Sequence, residues 1–316
     1  MSKRLILVFK LLLISLIMLA ISLLGYIIYT PQVMKTSNAS YIDKLDRLAS
    51  LSANEQAKAV FVGGSATHFG IHAQTFEQNT GIQTVNMGLN AGIDFDLYLG
   101  SVKPYLRKDD LLFLNPEYAY FMYDYYDIKA SDPEFVVYYN QQVWDDLSLK
   151  QKVLLLPKTI DYGWKSWFSF LYFRGNELLK KNLGVYSRSY SNKYGDMFGQ
   201  KDTPAASFTP AVATPLNKGF IPALTSKLDE MQKMGVKIIW IFPPYEEHSY
   251  LNNKDTINKA YKEILSQDNA VVLYSPDNTV YPTDYFFDTY YHLKWDRAED
   301  YTNFVTDKFL ALTKDN

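Results

Sequence analysis

Residues 59–70 carry the sequence Ala59-Val60-Phe61-Val62-Gly63-Gly64-Ser65-Ala66-Thr67-His68-Phe69-Gly70, and this stretch decides the fold. A short apolar run that ends at glycine predicts a buried strand, and the residues after Ser65 predict a turn into a helix. Ser65 is therefore expected at the carboxyl end of the first strand, the edge where open α/β sheets bind their ligands. Serine is also a favoured helix N-cap, and on these residues alone capping is the preferred interpretation.

The rest of the chain alternates apolar runs with amphipathic segments. Further strands are predicted over 83–86, 110–115, 236–242 and 270–274, and helices over 41–51, 72–79, 221–234, 255–265 and 296–312, with another helix after Gly92 that ends at Pro104. Alternating strands and helices are typical of a parallel, doubly wound sheet. The sequence therefore predicts an α/β fold with a five-stranded parallel sheet.

Near the end of the chain, the stretch Phe287-Asp288-Thr289-Tyr290-Tyr291-His292-Leu293 precedes the last predicted helix. An acid, a histidine and a distant serine are the parts of a nucleophilic triad, in which the base contacts the serine and the acid orients the base. Together with the Ser65 stretch, this segment resembles the SGNH/GDSL hydrolase superfamily. The resemblance implies a flavodoxin-like, three-layer α/β sandwich with Ser65, His292 and Asp288 as catalytic residues.

Two intermediate segments extend the resemblance. Residues 84–92 are similar to the second block of that superfamily, whose glycine N–H points into the oxyanion hole, and Gly88 matches this glycine. Residues 111–117 are similar to the third block, whose asparagine completes the hole, and Asn115 matches it. The resemblance thus implies an oxyanion hole formed by the N–H groups of Ser65 and Gly88 and by the Asn115 side chain.

The sequence departs from the family pattern at two points. Gly64 stands where the family has an acid before the serine, and three residues rather than two separate Asp288 from His292. Asp284 is a second acid near the histidine, so the choice between Asp284 and Asp288 stays open, with Asp288 preferred. The longer spacing is associated with membrane-anchored members that modify cell-envelope polymers.

The N-terminal segment predicts a membrane anchor. Lys3, Arg4 and Lys10 precede the charge-free run 11–29, which would span about 30 Å as a helix, the thickness of a bilayer core. This charge bias predicts a cytoplasmic N-terminus. A cleaved signal peptide is the alternative, but the apolar run is long and no Ala-x-Ala follows it. We therefore expect residues 1–34 to form the cytoplasmic n-region and the anchor, and residues 35–316 to form one extracytoplasmic domain.

Residues 116–217 lack strand–helix alternation and are expected to be an insertion with its own structure. The insertion is rich in aromatic residues, namely Tyr118, Tyr120, Phe121, Tyr123, Tyr125 and Tyr126, followed by Trp164, Trp167, Phe168, Phe170, Tyr172 and Phe173. These residues could form a groove wall that binds sugars, lipid or a partner, or they could form the core of a helical subdomain. The subdomain core is the preferred interpretation for most of them. Membrane contact by residues 164–168 is a further, weaker expectation.

Composition excludes several classes of function. The chain has 32 basic and 34 acidic residues and a net charge of −2, so nucleic acid is not an expected partner. It contains no cysteine, phosphate loop or dinucleotide fingerprint, and no cofactor is expected. His248 has no second histidine at ligand spacing and is expected in an exposed loop, so no metal site is predicted. His68 and His72 are interpreted as helix-surface residues.

The resemblance implies a cell-membrane protein that transfers acyl groups to or from hydroxyls of a cell-envelope polysaccharide or teichoic acid. It is similar to the D-alanyl-lipoteichoic acid transfer proteins and to the SGNH proteins that work beside membrane-bound O-acyltransferases in polysaccharide acetylation. A carbohydrate esterase of the same fold, and a noncatalytic partner of a membrane-bound O-acyltransferase, are the alternatives. The transferase and the esterase share every residue named above, whereas in the noncatalytic partner these residues would be remnants of a triad.

Overall fold

A computed structural model of the chain describes residues 3–37, 39–54, 56–123, 129, 132–139, 144, 147–179, 185–268 and 270–314. The strands in these ranges are β1 Lys58–Gly63, β2 Gln83–Asn86, β3 Leu111–Asn115, β4 Lys237–Trp240, β5 Tyr245–Glu246, β6 Val271–Val272 and β7 Val280–Tyr281. Five of them form one parallel sheet in the order β2-β1-β3-β4-β6, and β5 pairs with β7. This confirms the expected α/β fold, and the strand order is that of flavodoxin-like sheets.

The helices within the same ranges are α1 Lys3–Leu24, α2 Thr30–Ser37, α3 Ala39–Ser52, α4 Ser65–Gly70, α5 Ala73–Thr80, α6 Phe95–Val102, α7 Tyr118–Met122, α8 Asp132–Tyr139, α9 Leu149–Leu178, α10 Gly199–Asp202, α11 Phe220–Lys233, α12 Glu247–Leu265 and α13 Trp295–Lys314. A π-helical turn, Gly25–Tyr29, joins α1 to α2. Short 3₁₀ turns lie at Lys103–Tyr105, Arg188–Tyr190, Pro276–Thr279 and Thr283–Tyr285.

The sheet is covered on both faces. All six residues of β1 are buried, and successive side chains of a strand point to opposite faces, so each face must be packed. Phe61 of β1 stacks on Phe113 of β3 with ring centroids 4.4 Å apart, and Phe76 of α5 and Phe309 of α13 contact Phe113 edge-on. An apolar core of this kind fixes the carboxyl ends of β1 and β3 side by side.

A buried ion pair closes the opposite end of the same two strands. Lys58 begins β1 and Asp110 immediately precedes β3, and their side chains are hydrogen-bonded with no exposure to solvent. Asp110 also accepts hydrogen bonds from the backbone N–H groups of Lys58 and Arg107. A buried charge is tolerated when it is paired and hydrogen-bonded, so this pair specifies the register between β1 and β3.

Helix α12 begins at Glu247, two turns before the predicted start at residue 255. The Glu246 side chain accepts a hydrogen bond from the Ser249 N–H at 2.8 Å and caps the helix. His248 is therefore in the first turn of α12 and not in a loop, although it is exposed as expected. The prediction was wrong because a glutamate cap is a weak sequence signal compared with serine, threonine or aspartate.

The N-terminal helix is longer than the predicted charge-free run. Lys3–Val33 forms one helical segment that is long and apolar enough to cross a membrane, with a π turn at Gly25–Tyr29. Across this turn the Thr30 N–H bonds to the Gly25 carbonyl. A widened turn just before Pro31 lets the helix continue past a residue that lacks an N–H donor.

The segment expected as an insertion contains helices α7 to α10. Tyr118 and Phe121 are buried in the main core. Trp167 and Phe170 pack against Tyr29 with ring centroids 4.1 and 4.9 Å away. Phe168 and Tyr172 are exposed. The predictions for Tyr125, Tyr126 and the Phe173 side chain lie outside the described residues.

Candidate functional site

Ser65 is the first residue of α4, and Gly64 alone separates it from the end of β1. A Cβ atom at Gly64 would lie 2.6 Å from Glu117 Oε1, which is closer than any real contact. The Glu117 carboxyl thus occupies the space that a side chain before Ser65 would need.

A cavity of about 380 Å³ opens beside Ser65 at the carboxyl edge of the sheet. Ser65, Glu117 and His292 contribute a hydroxyl, a carboxyl and an imidazole to its lining. Much of the remaining lining is aromatic or carries small polar groups, comprising Asn90, Ala91, Ala119, Tyr120, Tyr123, Lys129, Tyr186, Thr289, Tyr290 and Tyr291. Residues from five separate parts of the chain therefore meet at the place where parallel sheets bind ligands.

His292 of this lining forms a hydrogen-bonded pair with Asp288, which lies behind it. His292 Nδ1 lies 2.7 Å from Asp288 Oδ1, whereas Asp284 is exposed in the preceding 3₁₀ turn. The Phe287 N–H donates to the His292 carbonyl at 2.7 Å, so the loop folds back on itself and brings the two side chains together across three intervening residues. With Nδ1 bonded to the acid, Nε2 is the nitrogen left to accept a proton from a nucleophile.

Ser65 donates its hydroxyl hydrogen bond to Glu117 rather than to His292. The Ser65 Oγ to Glu117 Oε1 distance is 2.9 Å, and the same carboxyl oxygen accepts from the Ala66 N–H at 2.8 Å. Ser65 and His292 line one cavity, but no hydrogen bond joins them within the described residues. The serine must therefore change partner before His292 can take its proton.

Glu117 is a site residue that the sequence interpretation missed. It is 2% exposed, and burial raises the pKa of its carboxyl, while its hydrogen bonds with the Ala66 N–H and Ser65 and the nearby His292 partly oppose this shift. The sequence does contain a signal for it. Glu117 comes two residues after β3, and β3 is parallel to β1, so Glu117 must lie at the same sheet edge as Ser65. The pattern Asn-Pro-Glu was interpreted through its asparagine alone.

The two other expected oxyanion-hole residues do not reach the cavity. The Gly88 N–H donates to Asn86 Oδ1 at 2.9 Å, and the Asn115 side chain is fully buried outside the lining. Ala91 does line the cavity, and its backbone nitrogen would lie 3.2 Å from a Cβ at Gly64. Since that N–H has no acceptor in the described part of the chain, Ala91 is better placed than Gly88 to donate to a bound oxygen.

His68 and His72 are buried, so their interpretation as helix-surface residues was wrong. His68 Nδ1 lies 2.9 Å from Lys44 Nζ, and the His68 ring stacks on Tyr186. The His72 ring lies 4.0 Å from that of Trp295. Burial lowers the pKa of His72 to about 4 and that of Lys44 to about 7. Residues distant in sequence, Lys44, Tyr186 and Trp295, cover these two histidines, and the local sequence does not reveal such contacts.

One group of metal-ligand types is present in the described residues. Donor atoms of Glu246, Glu247 and His248 lie within 4.8 Å of one another. Glu246, however, already accepts hydrogen bonds from Ser249 and from the Thr283 hydroxyl at 2.8 Å, and the other two side chains are largely exposed. The geometry is that of a helix cap.

No protein-family model matches this chain, and no curated protein matches it.

The buried Glu117 carboxyl predicts a specific pH dependence of stability. Because its pKa is raised above the ordinary 4.5, it contributes stability at low pH that is lost as the pH rises through the folded-state pKa. Glu117→Gln keeps the acceptor oxygen and removes this loss. In melts of detergent-purified protein from pH 4 to 8, the variant should gain stability relative to wild type as pH rises, whereas exposed Glu299→Gln should show no such trend. A Glu117→Gln difference that stays constant with pH would contradict the assignment.

Proposed function

We propose that this chain is a membrane-anchored SGNH-like enzyme that transfers acyl groups to or from hydroxyls of a cell-envelope polysaccharide or teichoic acid. The observation that carries the proposal is that Ser65 and His292 line one cavity at the carboxyl edge of the sheet, with Asp288 hydrogen-bonded to the histidine. A nucleophile, a base and an orienting acid are the parts that acyl transfer through a serine ester requires.

The chemistry proceeds in two transfers. The Ser65 hydroxyl leaves Glu117, gives its proton to His292 Nε2 and attacks the carbonyl carbon of an acyl ester. Collapse of the tetrahedral intermediate breaks the bond to the leaving oxygen, which takes the proton from His292, and an acyl-serine remains. An acceptor hydroxyl then gives its proton to His292, attacks the acyl-serine and departs as the new ester, restoring Ser65.

Charge that develops on the carbonyl oxygen needs donors that are aimed at the cavity. The N–H groups at the start of α4 are such donors, but in the resting arrangement Glu117 Oε1 holds the Ala66 N–H. Displacement of the carboxyl by the oxyanion frees this group, and the Ala91 N–H adds a second donor from the facing loop.

The aromatic lining suits a sugar or polyol acceptor. The cavity lining includes five tyrosines, which provide ring faces and hydroxyl groups: Tyr120, Tyr123, Tyr186, Tyr290 and Tyr291. Rings that combine an apolar face with a polar edge bind ring-shaped polyols well. A transferase and a carbohydrate esterase differ only in whether this acceptor or water resolves the acyl-serine, and the proposed anchor favours transfer on an envelope polymer.

A noncatalytic partner of a membrane-bound O-acyltransferase is the second candidate. It is favoured by the hydrogen bond from Ser65 to Glu117, which takes the hydroxyl away from His292. Such a protein would use the tyrosine-lined cavity to bind the polymer without forming an acyl-serine.

Replacement of the nucleophile separates the two candidates. Ser65→Ala should abolish acylation of the envelope polymer in cells and ester cleavage by the purified protein, because no other hydroxyl takes the place of the nucleophile. It should change the unfolding free energy by at most about 2 kcal/mol, the cost of losing a hydroxyl at a helix start. Exposed Ser189→Ala is the matched control. Wild-type polymer acylation by Ser65→Ala would reject the enzymatic proposal in favour of the binding one.

The role of the acid is tested by a pair of aspartate variants. Asp288→Asn should lower turnover by roughly three to four orders of magnitude, because an amide favours the wrong imidazole tautomer. Asp284→Asn should leave turnover almost unchanged, since Asp284 is exposed and His292 bonds to Asp288. Steady-state ester hydrolysis by both variants provides the comparison. A greater loss in Asp284→Asn would reassign the orienting acid.

A further inference from the structure

Helix α9 packs directly against the N-terminal apolar helix. The Trp167 Nε1 donates to the Ile21 carbonyl at 3.2 Å, and the Thr30 and Ser166 hydroxyls are 2.7 Å apart. A Cβ atom at Gly163 would collide with the Ser22 carbonyl. The two backbones therefore approach as closely as small residues permit, which is the packing typical of helices within membranes.

The contacts with α9 extend from the middle of the apolar run to its outer end if that helix spans the bilayer as proposed. Counted from Leu11, the first residue of the charge-free run, Ser22 is about 16 Å along the helix and Tyr29 about 27 Å. A bilayer core is about 30 Å thick. The middle of α9 is thus held at the depth of the outer leaflet and its interface.

One face of α9 exposes a continuous apolar stripe. Six residues at spacings of three, four or eight are between 39% and 78% exposed, and we call them the α9 stripe: Leu149, Val153, Leu156, Ile160, Phe168 and Leu171. These spacings place them on one side of a helix. Trp164, which is half-buried, fills the gap in the stripe between Ile160 and Phe168.

Charged residues occupy another face of the same helix. Lys158 is exposed, and Lys165 forms an ion pair with Asp161 in which both side chains are more than 60% exposed. Helix α9 therefore has three faces, one against the anchor, one apolar and one charged. An apolar patch of this extent is rare on a surface that meets only water.

We propose that α9 lies against the anchor at the depth of the outer leaflet and its interface, with the α9 stripe inserted among lipid acyl chains. This inference rests on the proposed anchoring of the N-terminal helix. Lipid is the occupant that fits, because the stripe adjoins a helix whose own side chains, such as Leu16 and Ile17, are exposed and apolar. Aromatic side chains at the same level, including Tyr29 and Trp164, are the type that concentrates at bilayer interfaces.

The membrane contact extends to the catalytic cavity through α8. The Tyr26 hydroxyl donates to the Pro133 carbonyl at 2.7 Å, and the Asp132 carboxyl accepts from the backbone N–H groups of Asp94 and Lys129. Lys129 lines the cavity beside Ser65. Seating α9 in the bilayer thus fixes one wall of the cavity relative to the membrane surface.

The natural absence of cysteine makes a direct test possible. Single-cysteine variants of the full-length protein carry a nitroxide at Leu156 or Phe168 of the stripe, at Lys158 or Lys165 of the charged face, at Val212 as an exposed apolar position elsewhere, and at Ile17 of the anchor. Each variant is reconstituted in phosphatidylcholine nanodiscs, and collision of the label with oxygen and with a water-soluble nickel chelate is measured. Melting temperatures equal to wild type establish that each variant is folded.

Labels at Leu156 and Phe168 should lose nickel collision to the level of Ile17 and gain oxygen collision, whereas labels at Lys158, Lys165 and Val212 should collide freely with nickel. Nickel collision at the stripe equal to that at Val212, with Ile17 still protected, would overturn the inference and leave the anchor intact. Protection of the stripe from both reagents would overturn it in favour of a second copy of the chain. Free nickel collision at Ile17 would instead reject the anchoring on which the inference rests, and none of these readouts depends on acyl transfer.

Discussion

The absence of side chains at Gly63 and Gly64 is the constraint on which the site depends. A Cβ atom at Gly63 would collide with the Thr67 side chain and the Asn115 carbonyl, and one at Gly64 would meet the Glu117 carboxyl. Only glycine therefore lets the strand-to-helix turn lie against the end of β3. This approach brings Ser65 and Glu117 within hydrogen-bond distance and aims the first turn of α4 at the cavity.

In the resting arrangement of the site, the carboxyls of Glu117 and Asp288 accept the hydrogen bonds of the serine and the histidine. Glu117 binds the serine hydroxyl, and Asp288 binds the histidine, so the two halves of the proposed relay are each satisfied separately. Burial disfavours the charged form of Glu117. The proposed reaction requires substrate entry into the tyrosine-lined cavity to rearrange these bonds.

The sequence predicted the five-stranded parallel sheet because its signals are local, namely apolar runs that end at glycine or proline and helices with a clear apolar face. The expectation that Ser65, His292 and an acid act together came from the resemblance to the SGNH/GDSL superfamily. In the structure Ser65 and His292 line one cavity, and Asp288 bonds to His292. Features that depend on long-range approach were missed. The contact between Ser65 and Glu117 requires Gly63 and Gly64 to approach the end of β3, which is distant in sequence. The burial of His68 requires Tyr186 to stack on its ring. Helix α12 begins two turns before its predicted start because the Glu246 side chain caps it.

The central claim is that Ser65 is a nucleophile activated by His292. Reaction of the full-length protein with a fluorophosphonate, followed by peptide mass spectrometry, tests it most directly, because this reagent forms a bond only with an activated serine. The account predicts phosphonylation at Ser65 in wild type, and loss of that adduct in a folded His292→Ala variant. A folded wild-type protein that gives no Ser65 adduct, or an adduct that His292→Ala leaves undiminished, would contradict it.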